Sequence, residues 1–234
     1  MAVSGRSVAK DALRACGLFS HADEATVDSL AAALRLRRFR KAETVFHQGD
    51  PGDALFIVAS GSVKVVLPSD EGAEPAIVAI LGAGEFFGEL AILDGAPHSA
   101  TIVAVEPTEI LVLHRDAFLG LIDTQPELRR ALLASLAVEI RRLTGHVEDL
   151  HFLDLPGRLA SRILRLAAKE QANASGSVRI PWPYTQSELA GMIGGSRQSV
   201  NRLLADLSDE GLIRIERDGL IVTDVDRLAR TVER

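Results

Sequence analysis

The chain has 234 residues, of which 47% are apolar and 25% charged, and its formal net charge is −6. This composition is ordinary for a globular protein that buries a core, and it excludes a disordered or fibrous chain. At roughly 100 to 200 residues per domain, the length favours two domains over one. The single cysteine, Cys16, excludes an intrachain disulfide and a four-cysteine zinc or iron–sulfur site supplied by this chain.

The charge is distributed unevenly along the chain. Residues 158–234 hold 12 Lys/Arg and 10 Asp/Glu, whereas the rest of the chain holds 14 and 22. A mildly basic last third permits phosphate binding without establishing it. No apolar run is long enough to span a membrane, and the polar N-terminus lacks the apolar segment of an export signal, so we expect a cytoplasmic protein that does not interact with membranes.

The first segment predicts helices, because its apolar residues recur at helix-like spacing. They are Leu13, Cys16 and Leu18, followed by Val27, Leu30 and Leu34. We expect these helices to pack on the domain that follows. Cys16 is interpreted as a core residue of the first helix and not as a redox sensor.

Residues 42–113 form short apolar runs about ten residues apart, with many β-branched side chains. Glycine, proline or aspartate stands at each junction, as in the turn sequences of residues 49–52 and 94–97. This pattern is typical of an antiparallel β-sandwich or barrel.

A long helix is predicted from Pro126 to about Phe152, ended by Pro156-Gly157. Its apolar residues are spaced alternately three and four apart, like the a and d positions of a coiled coil. They are Leu133, Leu136, Ile140, Leu143, Val147 and Leu150. A helix lying on its own domain would normally show a wider apolar stripe, so the narrow stripe favours a homodimer over that alternative.

A second domain is predicted after this helix, because the β-rich pattern gives way to three helical segments and a hairpin. Residues 158–171 form the first helix, residues 173–176 a loop, and residues 178–180 a short strand stopped by Pro181 and Pro183.

Residues 185–188 form a capping box that begins the next helix, which ends at Gly194-Gly195. Ser196 is suited to cap another helix that extends to about Gly211. A two-strand hairpin follows, with Asp218-Gly219 as its two-residue turn. Two short helices joined by a glycine turn, with a hairpin behind them, predict a winged helix.

The second of these helices carries residue types that read DNA. Arg197 and Arg202 are suited to bidentate pairs with guanine and Gln198 to adenine, while Ser196 and Ser199 are suited to phosphate. A solvated helix surface is the alternative for such residues taken singly, but the capping box, the glycine turn and the hairpin coincide within about 40 residues and favour DNA binding.

The chain resembles the CRP/FNR family of bacterial transcription regulators over nearly its whole length. The resemblance rests on GDPGDALFIVASGSVKV and FFGELAILDGAPHSAT in the β-region, HFLDLPGRLASRIL after the long helix, and TQSELAGMIGGSRQSVNRLL in the helix pair. It implies an α+β chain with three parts. These are a β-roll of the cyclic-nucleotide-binding type (residues 1–123), a dimerisation helix and hinge (124–155), and a winged helix-turn-helix (156–234).

The resemblance also implies an effector site at Gly88, Glu89, Leu90, His98, Ser99 and Thr144. In cAMP-binding members the segment matching Gly88–Leu90 offers backbone N–H groups to the phosphate, and its Glu accepts the ribose hydroxyl. Their phosphate-pairing Arg is replaced here by His98, and a second Arg by Glu139. Their adenine-contacting Thr-Ser pair matches Leu143-Thr144. We therefore expect the pocket to be vestigial, to take another small effector, or to bind cAMP weakly. Taken alone, Glu89 could be a simple helix cap and His98 a surface turn residue.

The implied partners are double-stranded DNA, a second copy of the chain and RNA polymerase, with a cyclic nucleotide or another small effector as the uncertain ligand. Two alternatives remain: a regulator that binds DNA without an effector, and a nucleotide-binding module that acts on a protein partner. An enzyme is not expected, because the sequence has no nucleophile elbow, P-loop or paired carboxylates. Metal and haem sites are not expected either, since the histidines lack ligand spacing.

Overall fold

The computed structural model describes residues 2–69, 75–168, 170, 177–181, 184–217 and 219–232. The described residues form two units: the first extends to Ile140 apart from residues 75–76, which group with the second unit beginning at Arg141. None of the helices in these ranges is both long and apolar enough to cross a lipid bilayer.

The described residues up to the end of the long helix contain five helices. They are α1 (Ala2–Ala15), α2 (Glu24–Ala33), α3 (Glu89–Asp94), α4 (Arg115–Thr124) and α5 (Pro126–Phe152). Asp23 caps α2 by accepting from the N–H of Thr26 at 2.8 Å, which satisfies one of the donors left free at a helix start.

In the described residues of the first unit and Ala76, eight strands build two four-stranded sheets. They are β1 (Arg35–Phe39), β2 (Thr44–Phe46), β3 (Ala54–Ser60), β4 (Ser62–Leu67), β5 (Ala76–Gly82), β6 (Phe86–Phe87), β7 (Thr101–Ala104) and β8 (Thr108–His114). The sheet orders are β1-β8-β3-β6 and β2-β7-β4-β5. The predicted double-sheet β-region is confirmed.

The central strand β3 is buried on both faces, because its side chains alternate between two clusters. Phe56 and Val58 contribute to a core shared by the two sheets. Leu55 and Ile57 belong to the other cluster, which includes side chains of α1, α2, α4 and the start of α5. The N-terminal helices therefore pack on the β-roll as predicted. Cys16 is fully buried in this second cluster, and burial raises the pKa of its thiol.

The long helix α5 begins and ends where the sequence predicted. Leu136, assigned to the dimer stripe, is half-buried against the cluster that holds Leu128 and Leu132, so part of its side chain packs within its own unit. One detail of the prediction was wrong. Pro156 does not end α5; it lies in the first turn of the next helix, where its missing N–H costs nothing.

The second unit contains a further four helices and three strands in its described residues. They are α6 (Leu155–Ala167), β9 (Val178–Pro181), α7 (Gln186–Ile193), α8 (Arg197–Asp209), β10 (Ile213–Ile215), β11 (Gly219–Val222) and α9 (Val225–Val232). Helix α6 packs against α7, α8 and α9. The sequence analysis missed α9.

The predicted hairpin is part of a three-stranded sheet with the order β10-β11-β9. Gly219, predicted in the turn, is a strand residue opposite Pro181, which is itself the last residue of β9. Asp218, Pro183 and the predicted loop at residues 173–176 lie outside the described residues.

Candidate nucleic-acid interface and effector pocket

Helix α7 begins with the predicted capping box. The backbone N–H of Thr185 donates to the Glu188 carboxylate at 2.8 Å, and the N–H of Glu188 donates to the Thr185 hydroxyl at 3.2 Å. Two backbone donors that the helix leaves free are thus satisfied reciprocally. The capping box fixes where the first helix of the pair begins.

The turn between α7 and α8 requires glycine for two different reasons. Gly194 has φ of 68°, a left-handed conformation that side chains rarely adopt. A Cβ on Gly195 would lie 2.9 Å from Cδ1 of Leu155, so α6 approaches the turn too closely for a side chain. The turn is therefore held against α6 by packing.

Ser196 caps α8, and its hydroxyl accepts from the N–H of Ser199 at 3.1 Å. The hydroxyls of the two serines also lie 2.9 Å apart, within hydrogen-bonding distance. Both predicted phosphate contacts are therefore engaged with each other, and together they set the first turn of α8.

The N-terminal part of α8 exposes four polar side chains: Arg197, Gln198, Asn201 and Arg202. Residues four apart on a helix lie side by side, so the pairs 197/201 and 198/202 form one continuous surface. The opposite face is buried through Val200, Leu204 and Leu207.

Both arginines on this face are available for a ligand. Within the described part of the chain, Arg197 and Arg202 form no hydrogen bond or ion pair. An unpaired guanidinium offers a planar fork of donors that fits a guanine edge or a phosphate. The structure thus brings Arg197, Gln198 and Arg202 together at the N-terminal part of α8.

The loop that begins α3 is built around Gly88. It has φ of 87°, and a Cβ on it would lie 2.9 Å from the carbonyl oxygen of Ala54 and from Cδ2 of Phe56. A side chain is therefore excluded here on two grounds, strain and space.

The next residue, Glu89, is half-buried. Burial raises the pKa of its carboxyl, a backbone N–H opposes the shift, and the negative charge of Glu139 adds to it. Leu90 is 46% exposed, so its side chain does not line a closed cavity. The site around α3 thus has two acidic groups within electrostatic range of each other.

His98 is buried, with only 6% of its surface exposed, so its interpretation as a surface turn residue is wrong. Its ring stacks on Phe46 with centroids 3.6 Å apart and planes 8° from parallel. Its backbone exchanges hydrogen bonds of 2.9 Å with the Asp50 carbonyl and the Gly49 N–H. Burial lowers the pKa of the imidazole, which Asp50 and Asp53 only partly oppose. The residue in the place of the family arginine is therefore a neutral, stacked ring.

The structure brings His98 and the start of α3 to the same place. A Cβ on Gly52 would meet both the side chain of Ala91 in α3 and the His98 ring at 3.1 Å. Ser99 is exposed beside His98, and Thr144 is an exposed residue in the part of α5 that belongs to the second unit. Sequence reasoning missed Phe46 and Gly52, since a strand-end aromatic and a turn glycine carry no pattern that indicates a stacking partner.

Comparison with known proteins agrees with this architecture. Residues 36–125 match the family described as cyclic nucleotide-binding domain, and residues 157–231 match the Crp-like helix-turn-helix domain. A CRP-like cAMP-activated global transcriptional regulator of Mycobacterium tuberculosis is 35% identical over 218 residues, covering 93% of this chain and 97% of that protein.

Two further relatives extend the likeness. The cyclic AMP receptor protein of Thermus thermophilus is 34% identical over 189 residues, covering 81% of this chain and 84% of its own. A CooA variant from Carboxydothermus hydrogenoformans superposes with a TM-score of 0.76 at 25% identity, covering 87% of this chain and 89% of that structure. The β-roll, the long helix and the winged helix-turn-helix occur here in the order of these proteins, and the chain belongs to the CRP/FNR family of transcription regulators.

Proposed function

We propose that this protein is a homodimer that binds a palindromic operator through α8 and regulates transcription from it, with RNA polymerase as its functional partner. The observation that carries the proposal is that Arg197 and Arg202 are both exposed and form no hydrogen bond or ion pair with other described residues. They lie on a helix whose start is fixed by Ser196. The division into sensing (1–123), dimerisation (124–155) and DNA-binding (156–234) parts is proposed with it.

The dimer is supported by the apolar surface of α5. Of its seven exposed large apolar side chains, five lie on the predicted a and d positions, where a second helix would bury them: Leu133 67%, Ile140 64%, Leu143 38%, Val147 52% and Leu150 43% exposed. Val138 and Phe152 are exposed outside this stripe. A dimer would place two copies of α8 about one helical turn of DNA apart, roughly 34 Å, which is the spacing that a palindrome offers.

Base recognition would follow from the side chains on α8. Arg197 and Arg202 are suited to guanine, and Gln198, which both donates and accepts, is suited to adenine. The operator is therefore expected to keep two guanines in each half-site and to carry adenine where Gln198 points. Selection of bound sequences from a random duplex pool tests this, and a consensus without twofold symmetry would contradict the dimer.

The relatives' names include cAMP activation, but the residues around α3 do not fit a cyclic phosphate well. The phosphate would face a neutral His98 where the family has a permanently charged guanidinium, and Glu139, in place of a second family arginine, adds negative charge near Glu89. We infer that cAMP binds weakly here, or that another small effector takes its place.

A second candidate function is a regulator that binds DNA without any effector. It is supported by the stack of His98 on Phe46, because these two side chains are held in place by packing directly on each other. Fluorescence anisotropy of operator DNA, titrated with purified protein with and without cAMP, separates the two. A nucleotide-binding module acting on a protein partner would instead keep its activity when Arg197 and Arg202 are both replaced by alanine.

A further inference from the structure

The corner between α5 and α6 in the second unit contains a guanidinium nitrogen that has no hydrogen-bond partner among the described residues. The Nε atom of Arg162 is buried, and among the described residues it has no hydrogen-bond acceptor. A buried N–H group that loses its hydrogen bond to water and gains no other is destabilising. Such a group in a folded protein therefore calls for an explanation. Arg162 lies close enough to Tyr184, which precedes α7, to interact electrostatically with it.

Two more arginines lie within electrostatic range of Arg162. Burial lowers the pKa of the Arg162 guanidinium, Tyr184 opposes this, and the positive charges of Arg142 and Arg165 lower it further. Helices α5 and α6 thus place three guanidinium groups within electrostatic range of one another. Like charges packed in one corner favour binding of an anion that separates them.

The negative charges nearby are already engaged. Asp149 pairs with Arg165 at 2.7 Å and also accepts from the hydroxyl of Ser161, which is buried, at 3.2 Å. The Glu188 carboxylate accepts both the N–H and the hydroxyl of Thr185 in the capping box, at 2.8 and 3.0 Å. Neither carboxylate accepts a hydrogen bond from the Nε of Arg162.

The cluster is accessible to solvent at one side. The side chain of Arg165 is 45% exposed, so a small ligand can approach it without unfolding the corner. His146 is half-buried there, and burial lowers its pKa; the charge of Asp149 opposes the shift, whereas those of the three arginines add to it. At neutral pH it therefore contributes one neutral N–H donor.

We propose that Arg162, together with Arg142 and Arg165, binds a small phosphate-bearing anion at the junction of α5 and α6. A phosphate has several acceptor oxygens that can take hydrogen bonds from guanidinium groups in different planes. Its three arginines are none of the α3 residues and none of the base-reading residues of α8. Because Tyr184 directly precedes the cap of α7, an anion held there would link α5 and α6 to the start of the helix pair.

The test uses the full-length protein without DNA and inorganic pyrophosphate as the probe, in isothermal titration calorimetry at constant ionic strength. Wild type is expected to bind one pyrophosphate per chain saturably, and Arg162→Gln to bind at least roughly tenfold more weakly. Arg129→Gln, which removes an exposed charge of α5 outside the cluster, is the matched control and should bind like wild type.

No saturable heat with wild type, or equal binding by Arg162→Gln, would overturn the proposal. If circular dichroism shows Arg162→Gln to be unfolded, Arg162→Lys and Arg165→Gln replace it, since the first keeps the charge and the second alters a half-exposed residue. Unchanged affinity in both would also overturn it.

The phosphate could instead belong to the DNA backbone. In that case pyrophosphate alone would not saturate the site, while Arg162→Gln would weaken binding to every duplex sequence equally. That result would reject a free ligand in favour of a DNA contact.

Discussion

The guanidinium of Arg158 in α6 donates through Nη1 to the carbonyl of Ile193, the last residue of α7, at 2.8 Å. Its Nε donates to the carbonyl of Leu153, before α6, at 3.2 Å. Carbonyls at a helix end lack partners within the helix, and a cation there is also favoured by the helix dipole. One side chain therefore connects the α5–α6 junction to the turn that precedes α8.

Arg158→Ala is expected to weaken both folding and DNA binding. Losing these charged hydrogen bonds should lower the free energy of unfolding by about 1.5 to 3 kcal/mol. DNA affinity should fall by about tenfold because α8 loses one of its supports. Urea denaturation and anisotropy with operator DNA measure the two effects.

Arg230→Ala is the matched control, since it removes an exposed arginine of α9. It should change the stability by no more than about 0.5 kcal/mol. A loss of equal size in both variants would show that the Arg158 contacts contribute nothing specific.

Substitutions on α8 should change sequence preference. Arg197→Ala is expected to cost about 1 to 3 kcal/mol of binding free energy and to relax specificity at one base pair. Gln198→Glu keeps the size of the side chain but leaves only acceptors, so adenine should give way to cytosine at that position. Sequence selection with each variant measures the change; a preference unaltered by Gln198→Glu would show that this side chain does not contact a base.

The second unit was largely predictable from sequence because its signals are local. A capping box at Thr185, a left-handed Gly194 and a cap at Ser196 each act within a few residues, and all three lie where predicted. The exception was the sheet. Pairing of β9 with β11 joins segments about 40 residues apart, which no local pattern specifies.

The pocket around α3 was less predictable. The resemblance located Gly88 and His98, but the burial of His98 and its stack on Phe46 depend on which face of the sheet each strand presents. Leu136 illustrates the same limit. Its heptad position predicts a dimer contact, whereas the structure half-buries it within its own unit.

Charge placed in the apolar stripe of α5 should separate the proposed dimer. Ile140 is 64% exposed in the single chain, and Ile140→Glu would bring two like charges together in the proposed interface. Sedimentation velocity is expected to show a shift from dimer to monomer, and operator binding should weaken in parallel. Ala134→Glu, on an exposed position of α5 outside the stripe, serves as the control and should remain dimeric.

The stability of the first unit should depend on pH through His98. Its pKa in the folded chain lies below the ordinary value of 6.5, mainly because of burial. As the pH falls below about 6.5, His98 of the unfolded chain binds a proton before His98 of the folded chain does. The free energy of unfolding therefore decreases towards acid pH, and the contribution of His98 is complete only above about pH 6.5.

His98→Gln removes this titrating group. The urea concentration at the unfolding midpoint should therefore fall less steeply with decreasing pH than in wild type. His146 is shifted in the same direction by burial, so His146→Gln is expected to remove a separate part of the pH dependence. If the His98→Gln profile parallels that of wild type from pH 7.5 to pH 5.5, His98 does not carry the effect.

Restoring the missing cation should restore cyclic-nucleotide binding. His98→Arg places a permanently charged fork where the family has one, and Asp50 and Asp53 lie close enough to stabilise it electrostatically. A charge-assisted hydrogen bond to phosphate contributes about 1.5 to 3 kcal/mol, so calorimetry should show cAMP affinity rising by roughly ten- to a hundredfold over wild type. His98→Lys supplies the charge without the planar fork and should give a smaller gain. If His98→Arg is folded by circular dichroism yet binds cAMP no better than wild type, the charge at this position is not what limits the pocket, and Glu139, which replaces the second family arginine, becomes the group to change.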